Sequence, residues 1–456
     1  MSLSFGTDGV RGVANENLTS EFAVALGRVA GTVLSDAYTG DGRPPCVLGR
    51  DTRESGTMFA AALSAGLAAA GVDVFDAGVI PTAGIALLAR DTGAAMGAVI
   101  SASHNPASDN GIKFFGASGQ KLGTADEKLI EQLLAEDVEG DTLDIPNAVI
   151  SAPAGSIGTV VSDQDLGYQY EEILAASVTT PLDGLHVVAD TAHGAASKIG
   201  PEALRAAGAR VDVMFDAPDG LNINDGCGAT APAAVAAAVR DSSADLGLAF
   251  DGDADRLIPV DENGRILDGD HVLAMCALDR KAAGTLASNA IVATVMSNVG
   301  LRILLAEHGI EIIECAVGDR NVLNAMDERG LNLGGEQSGH VIFRDLAPTG
   351  CGLLTALQVC QLVVRSGRSL SELADRMPEF PQRLVNVELV DAAALDAADD
   401  FWDAVRAAEA DLGERGRVVV RPSGTEPKLR IMVQAETDDD VTRLVDGLVK
   451  AAEAAI

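Results

Sequence analysis

A chain of 456 residues is too long for one hydrophobic core, and with 47% apolar residues it is no disordered protein, so several domains are expected. A formal net charge of −34 argues against nucleic-acid and anionic-membrane partners. The acid is spread along the whole chain, and lysine is rare beside arginine, which favours a surface solvated in a high-salt cytoplasm over a basic binding partner.

The amino-terminal MSLSFGTDGVRG enters polar, glycine-rich chain at once and does not resemble a signal peptide. Apolar, alanine-rich stretches such as 59–75 are broken by Asp73, Asp76 and Pro81 before they could span a bilayer, so a cytoplasmic protein is expected. The six cysteines form no C-x-x-C pair, and neither a zinc site nor a disulfide framework is signalled. In FGTDGVRG, Arg11 stands beside glycines, as an anion site or as a turn salt bridge.

Three segments, beginning at Pro45, Leu185 and Ala290, share one plan of strand, polar turn, helix, glycine and strand. Each reads as a βαβ-like unit, with Gly71, Gly208 and Gly309 where the helix must end. Each is followed by an apolar strand, a loop rich in reactive groups and a second apolar strand. The loops are SASHNP, DGDADR and GGEQSG. They occupy equivalent positions and can converge if the domains meet around a cleft.

In the first loop Ser103 precedes His104, yet neighbours in extended chain point to opposite sides and no G-x-S-x-G elbow is present, so an acyl-hydrolase triad is disfavoured. What remains is a hydroxyl held at a strand end by a turn-forming Asn-Pro, suited to a nucleophile for another kind of group. Lys113, just beyond, reads by itself as a surface lysine. The second loop sets Asp251, Asp253 and Asp255 at alternate positions, and crowding them costs about 1 to 4 kcal/mol per close pair, so a hard divalent cation is the natural occupant, with a plain acidic turn as the alternative in so acidic a chain. An EF-hand fails because Arg256 stands where glycine is required and strands flank the loop.

In the third domain Asp319 and Arg320 follow a glycine, again an anion site or a turn salt bridge. Glu336 and Ser338 present a carboxylate and a hydroxyl suited to sugar hydroxyls, while His340 alone reads as a satisfied core histidine. After a linker at 377–381 comes a small α+β domain whose RPSGTEPKLR offers Arg421, Ser423, Gly424, Thr425, Lys428 and Arg430 to a phosphate dianion, with a solvated hairpin as the alternative. The expected domains are 1–155, 156–260, 261–376 and 377–456.

Taken in order, FGTDGVRG, ISASHNP with DNGIKFF, FDGDADR, VGDR, GEQSGHVI and RPSGTEP give the chain a resemblance to the α-D-phosphohexomutases over its whole length. The resemblance implies an α/β fold of three related mixed α/β domains plus a small C-terminal α+β, TATA-binding-protein-like domain around a central cleft. It implies transfer of phosphate between C6 and C1 of a hexose or hexosamine phosphate, glucosamine phosphate foremost, through a phosphoserine at Ser103 and a sugar 1,6-bisphosphate. It further implies Mg²⁺ on Ser103, Asp251, Asp253 and Asp255. The implied catalytic groups are Ser103, His104, Lys113, Arg256 and His340, with Lys113 or His340 moving the hydroxyl's proton. Arg11, Asp319, Arg320, Glu336, Ser338, Arg421, Ser423, Gly424, Thr425 and Arg430 are implied to bind substrate. Ala254, Asn321 and Cys351 depart from the family pattern and leave glucose and mannose phosphates open. The rival readings are a metal-dependent phosphatase and a silent sugar-phosphate sensor, and the oligomeric state is left open.

Overall fold

A computed structural model of the chain describes residues 4–6, 8–138, 151–388, 395, 398–422 and 428–455. The first sheet comprises β1 (Val10–Val13), β2 (Pro45–Arg50), β3 (Asp73–Val79), β4 (Met96–Ile100), β5 (Asp109–Gly116) and β6 (Val160–Ser162), in the order β1-β5-β4-β2-β3-β6. Strand β6 pairs with β3, so this sheet reaches beyond the boundary expected at 155. The second sheet holds β7 (His186–Asp190), β8 (Arg210–Met214), β9 (Leu246–Phe250) and β10 (Leu257–Asp261), in the order β10-β9-β7-β8. The third holds β11 (Ala290–Thr294), β12 (Glu311–Cys315), β13 (Leu333–Gly335) and β14 (Val341–Phe343), in the order β12-β11-β13-β14.

One topology therefore occurs three times: β5-β4-β2-β3, β10-β9-β7-β8 and β14-β13-β11-β12. In each, the βαβ unit places two strands in parallel, and the next strand turns into an antiparallel hairpin. Strands β4 and β9 are apolar and buried along their whole length, as strands covered on both faces must be. Gly71, Gly208 and Gly309 lie at φ +90°, +110° and +60°, so the three chains leave their helices in a left-handed conformation that a side chain would oppose. The hairpin turns that follow β4, β9 and β13 are the three loops singled out above.

One apolar cluster runs through all three domains, from Ile85 and Phe115 past Leu248 and Phe250 to Leu301 and Leu353. The loops are thus fixed relative to one another by a common core. The fourth domain, β15 (Gln382–Glu388), β16 (Gly416–Pro422) and β17 (Lys428–Ala435) in the order β15-β17-β16, carries helices Asp399–Leu412 and Asp438–Ala455 and has its own core around Phe401, Ile431 and Val445. It touches the third domain through polar groups: Gln434 accepts from the Val299 N–H at 2.9 Å, and Arg417 pairs with Glu314 at 3.0 Å. No described helix is long and apolar enough to cross a membrane.

Candidate functional site

The first two loops meet at a hydroxyl. Ser103 sits at φ +52°, a left-handed position that costs a non-glycine residue roughly 1 kcal/mol and must be imposed by its surroundings. The buried Arg53 guanidinium imposes it, donating to the carbonyls of Ser103 (3.0 Å), Asn105 (2.8 Å), Asp109 (3.0 Å) and Pro106. Asp51 holds Arg53 at 2.9 Å and accepts from Ser101 Oγ at 2.5 Å, and Ser101 Oγ in turn accepts from the Ser103 N–H. Asn224 of the second domain donates to the Ser103 and Asn105 carbonyls as well. Because Ser103 is left-handed and not extended, its Oγ comes within 3.4 Å of His104 Nδ1. The extended-chain reason for parting the two side chains is corrected accordingly. The hydroxyl proton nonetheless goes to Asp251 Oδ2, at 2.6 Å. Burial, with Arg256 and Arg11 nearby, pushes the His104 imidazole down to about 4, so it stays neutral.

Asp251, Asp253 and Asp255 each bring one oxygen within 4.8 Å of the others, and all three are buried. Asp253 Oδ2 accepts from Thr82 Oγ1 at 2.6 Å and from Lys113 Nζ at 2.8 Å, which fixes the carboxylate and leaves Oδ1 without a hydrogen-bond partner. Asp255 Oδ1 likewise lacks a hydrogen-bond donor, with Arg256 Nε 3.7 Å away as an ion-pair partner. Burial and the charges of Asp255 and Asp253 push Asp251 well above the usual carboxylate range. Asp255 is held far below it: burial opposes its charge, but His340, Lys113 and Arg256 outweigh that. Buried carboxylate oxygens without donors, aimed at one another, fit a hard divalent cation.

The lysine expected at the surface is instead buried, 2% exposed, between Asp253 and Asp8, each at 2.8 Å. Strand β5 is buried at every position from 110 to 115, and at 113 the side chain ends on carboxylates, so burial is offset by ion pairing. Both charges hold Lys113 protonated against that burial. His340 is also buried, with Nδ1 3.6 Å from Asp255 and Nε2 unpartnered. Burial disfavours its charge, but Asp255 raises it to about 8.

A cavity of about 530 Å³ opens over these groups, lined by Arg11, His104, Arg256, Asp319, Glu336 and His340 among others. Glu336 is held by the Gly318 N–H at 2.9 Å, and Ser338 beside it is exposed. Arg11 leans on Asp8 and Asn105. Arg320 does not line this cavity. Its guanidinium takes Glu127 of the first domain in a bidentate pair, with Nη1 to Oε2 at 2.7 Å, so its partner is a carboxylate of another domain and not one of its own turn. Arg421 and Arg430 face each other directly across β16 and β17, and the charge of Glu336 reaches Arg421. Like charges directly opposite repel, which a bound anion would relieve. Ser423, Gly424 and Thr425 lie outside the described residues. Sequence reasoning missed Asp8, Asp51, Arg53, Thr82, Lys121 and Asn224. A cluster of charges, GRDTR, at the end of a buried strand marked the neighbourhood of Asp51 and Arg53 without showing their partners, and the other four left no local signal.

Three repeated domains bringing a hydroxyl, a carboxylate triad and a polar loop together beside one cavity define a phosphoryl-transfer enzyme. The chain belongs to the phosphoglucomutase/phosphomannomutase family: the models of its alpha/beta/alpha domains I, II and III and of its C-terminal domain match residues 2–140, 169–264, 268–380 and 384–451. It is a phosphohexomutase, a phosphotransferase with an isomerase's outcome. Among curated relatives it is 48% identical to a phosphoglucosamine mutase of Mycobacterium marinum over 100% of both chains, and 49% identical to one of Paenarthrobacter aurescens over 98% of this chain and 96% of that one. Among solved structures, a phosphoglucomutase/phosphomannomutase family protein from Burkholderia thailandensis superimposes with a TM-score of 0.80 at 25% identity, covering 98% of this chain and 97% of that one. The N-acetylphosphoglucosamine mutase of Aspergillus fumigatus, solved in complex with GlcNAc-6P and magnesium, shares the fold with a TM-score of 0.72 at 17% identity, over 100% of this chain and 96% of that one.

Proposed function

We propose that the protein interconverts glucosamine 6-phosphate and glucosamine 1-phosphate in the cytoplasm, through a phosphorylated Ser103 and glucosamine 1,6-bisphosphate. The observation that carries the chemistry is the Ser103 hydroxyl, bonded to Asp251 at the mouth of the carboxylate triad with Lys113 and His340 beside the same carboxylates. Full-length similarity to phosphoglucosamine mutases supports the sugar. So do the three family departures, none of which is aimed at the cavity. Ala254 is buried at φ +55°, Asn321 Nδ2 donates to the Val317 carbonyl, and Cys351 is buried against the Tyr170 hydroxyl.

In the forward direction the Ser103 Oγ–P bond breaks as a bond forms from phosphorus to the sugar hydroxyl oxygen; of the two candidates for the hydroxyl proton, Lys113 is held protonated and cannot accept it, so it passes to His340 in its neutral form. Arg256 balances the charge spread over the phosphoryl oxygens. Asp251, Asp253, Asp255 and Ser103 would hold Mg²⁺, which supplies further charge neutralisation. The bisphosphate then turns end for end, and its other phosphoryl returns to Ser103. Glu336 and Ser338 orient the sugar, while Arg421, Arg430 and the 423–425 turn grip the phosphate not being transferred.

Six free thiols, five of them buried, support a reducing compartment, and the spread of acid over the whole chain supports a salt-rich one. The test is to offer glucosamine 6-phosphate, glucose 1-phosphate and mannose 1-phosphate with Mg²⁺ and a trace of bisphosphate and to follow the phosphorus resonances. Isomerisation fastest with the glucosamine phosphate is expected. Release of free phosphate alone would establish a phosphatase instead.

A further inference from the structure

After β5 the chain turns through 117–120 and pairs Lys121 back against Phe115, with Gly119 at φ +74° closing the turn. That places the Lys121 ammonium, with a side chain only 10% exposed, between Asp8 of its own domain and Asp319 of the third. An unbroken alternation of charge results: Asp253, Lys113, Asp8, Lys121 and Asp319. It begins at the carboxylate triad and ends at the first residue of helix Asp319–Arg329. The residue before that helix, Gly318, donates its N–H to Glu336.

The two ends of Lys121's reach are unequal. Asp8 has two other cations, Arg11 and Lys113, whereas Lys121 is the one cation paired with Asp319 among the described residues. Both carboxylates line the cavity. An uncompensated carboxylate at the wall of a cavity that admits a sugar phosphate dianion beside a phosphorylated serine repels that dianion, and the repulsion weakens with distance only slowly in a partly dehydrated site.

We propose that Lys121 is a positioning residue of the transfer site, neutralising Asp319 so that the anionic sugar phosphate can enter and keeping Asp8 turned onto Lys113. It assigns to Asp319 the role of a charge partner and not of a sugar ligand. The inference rests on the mutase reading for its substrate.

The experiment measures KM and kcat for glucosamine 6-phosphate in the parent, Lys121→Met, Asp319→Asn and the double variant, with circular dichroism to confirm folding. Lys121→Met should raise KM about tenfold, the effect of one uncompensated charge near a dianion at intermediate dielectric. Asp319→Asn alone should lower KM, and the double variant should return to the parent's value. A merely structural ion pair would instead make Asp319→Asn as harmful as Lys121→Met and the double variant no better than either. That result, or an unchanged KM in Lys121→Met, overturns the proposal. Should Lys121→Met not fold, Asp319→Asn decides, since a raised KM there makes Asp319 a ligand. Calorimetric binding of glucosamine 6-phosphate to the same four proteins separates the two hypotheses: a parent that only releases free phosphate ends the mutase reading, while the order of the four affinities still judges Lys121.

Discussion

Ser103 Oγ, from the first domain, donates its hydrogen to Asp251 Oδ2, from the second, at 2.6 Å. The group expected to carry phosphate is therefore made at a junction, and it depends on both domains being packed on their shared core. A phosphoryl group on Ser103 would remove that donated hydrogen and bring charge against Asp251, which burial and its neighbouring carboxylates already push towards protonation. Such a loop is stable only if its backbone is held from elsewhere and its charge is met by cations.

Ser103 is expected to be phosphorylated in part of the purified protein, visible as a phosphopeptide by mass spectrometry. Ser103→Ala, folded and supplied with glucose 1,6-bisphosphate, should lose at least about a thousandfold in kcat, the order found when a covalent nucleophile is removed. Turnover at the parental rate would place the transferred phosphoryl elsewhere.

Arg53 holds the Ser103 loop through four carbonyls and has Asp51 as its buried counter-ion. Arg53→Met leaves Asp51 buried without that partner, and breaking a buried pair from one side costs about 3 to 5 kcal/mol. The urea midpoint should fall accordingly. Arg53→Met combined with Asp51→Asn should recover part of the stability but not the activity, because the loop carbonyls remain unheld. A double variant with parental kcat would show that Ser103 needs no such support.

The difference between what was legible and what was not follows from these residues. Alternating apolar runs and a glycine after each helix were enough to read three βαβ units, because periodicity and backbone handedness are local. The equivalence of the three loops followed from the repeat. Arg53 and Lys121 were not legible, since a buried charge is explained only by its partner, and Lys121 finds Asp319 at a separation of 198 residues. Lys113 was misread for the same reason: without Asp8 and Asp253 in view, a lone lysine belongs in water. Arg320 shows the converse, an arginine beside glycine whose partner proved to be a carboxylate 193 residues away.

Adding Mg²⁺ should raise the melting temperature, since a ligand at a hundred times its dissociation constant adds about 2.7 kcal/mol to the folded state. Chelation should stop turnover and leave the circular dichroism intact, because the triad's loop packs on an apolar core that extends through all three domains and is not built by the carboxylates. Collapse of the fold on adding EDTA would contradict this.

Asp270, in the first turn of helix Gly269–Ala282, is raised by burial and by Asp268 from 3.8 to about 7, with the Asn298 N–H, Ser297 and His271 offsetting only part. A carboxyl whose folded value is raised contributes stability that is complete below the unfolded value and is lost as pH rises through the folded one. Between about pH 4 and 7 the parent should therefore lose up to about 1.4 kcal/mol per unit relative to Asp270→Asn. Urea midpoints of the two proteins at pH 5 and pH 8 give the comparison. A gap that does not widen with pH would mean that Asp270 is charged throughout.

The fourth domain has its own core and meets the third through polar contacts, yet it carries Arg421 and Arg430 directly opposite each other, with Arg421 within reach of the Glu336 charge. If these arginines grip whichever phosphate is not being transferred, the bisphosphate must leave that grip and regain it halfway through every cycle. The arginines then govern retention of the intermediate, not the transfer itself. Arg421→Ala removes contacts worth about 1.5 to 3 kcal/mol for a hydrogen bond to a charged group, without touching Ser103 or the carboxylates. More intermediate should escape and leave the enzyme dephosphorylated, so the bisphosphate concentration that gives half-maximal rate should rise at least about tenfold. Equal concentrations in parent and variant, with unchanged substrate affinity, would return RPSGTEP to the solvated hairpin that its spacing also allows.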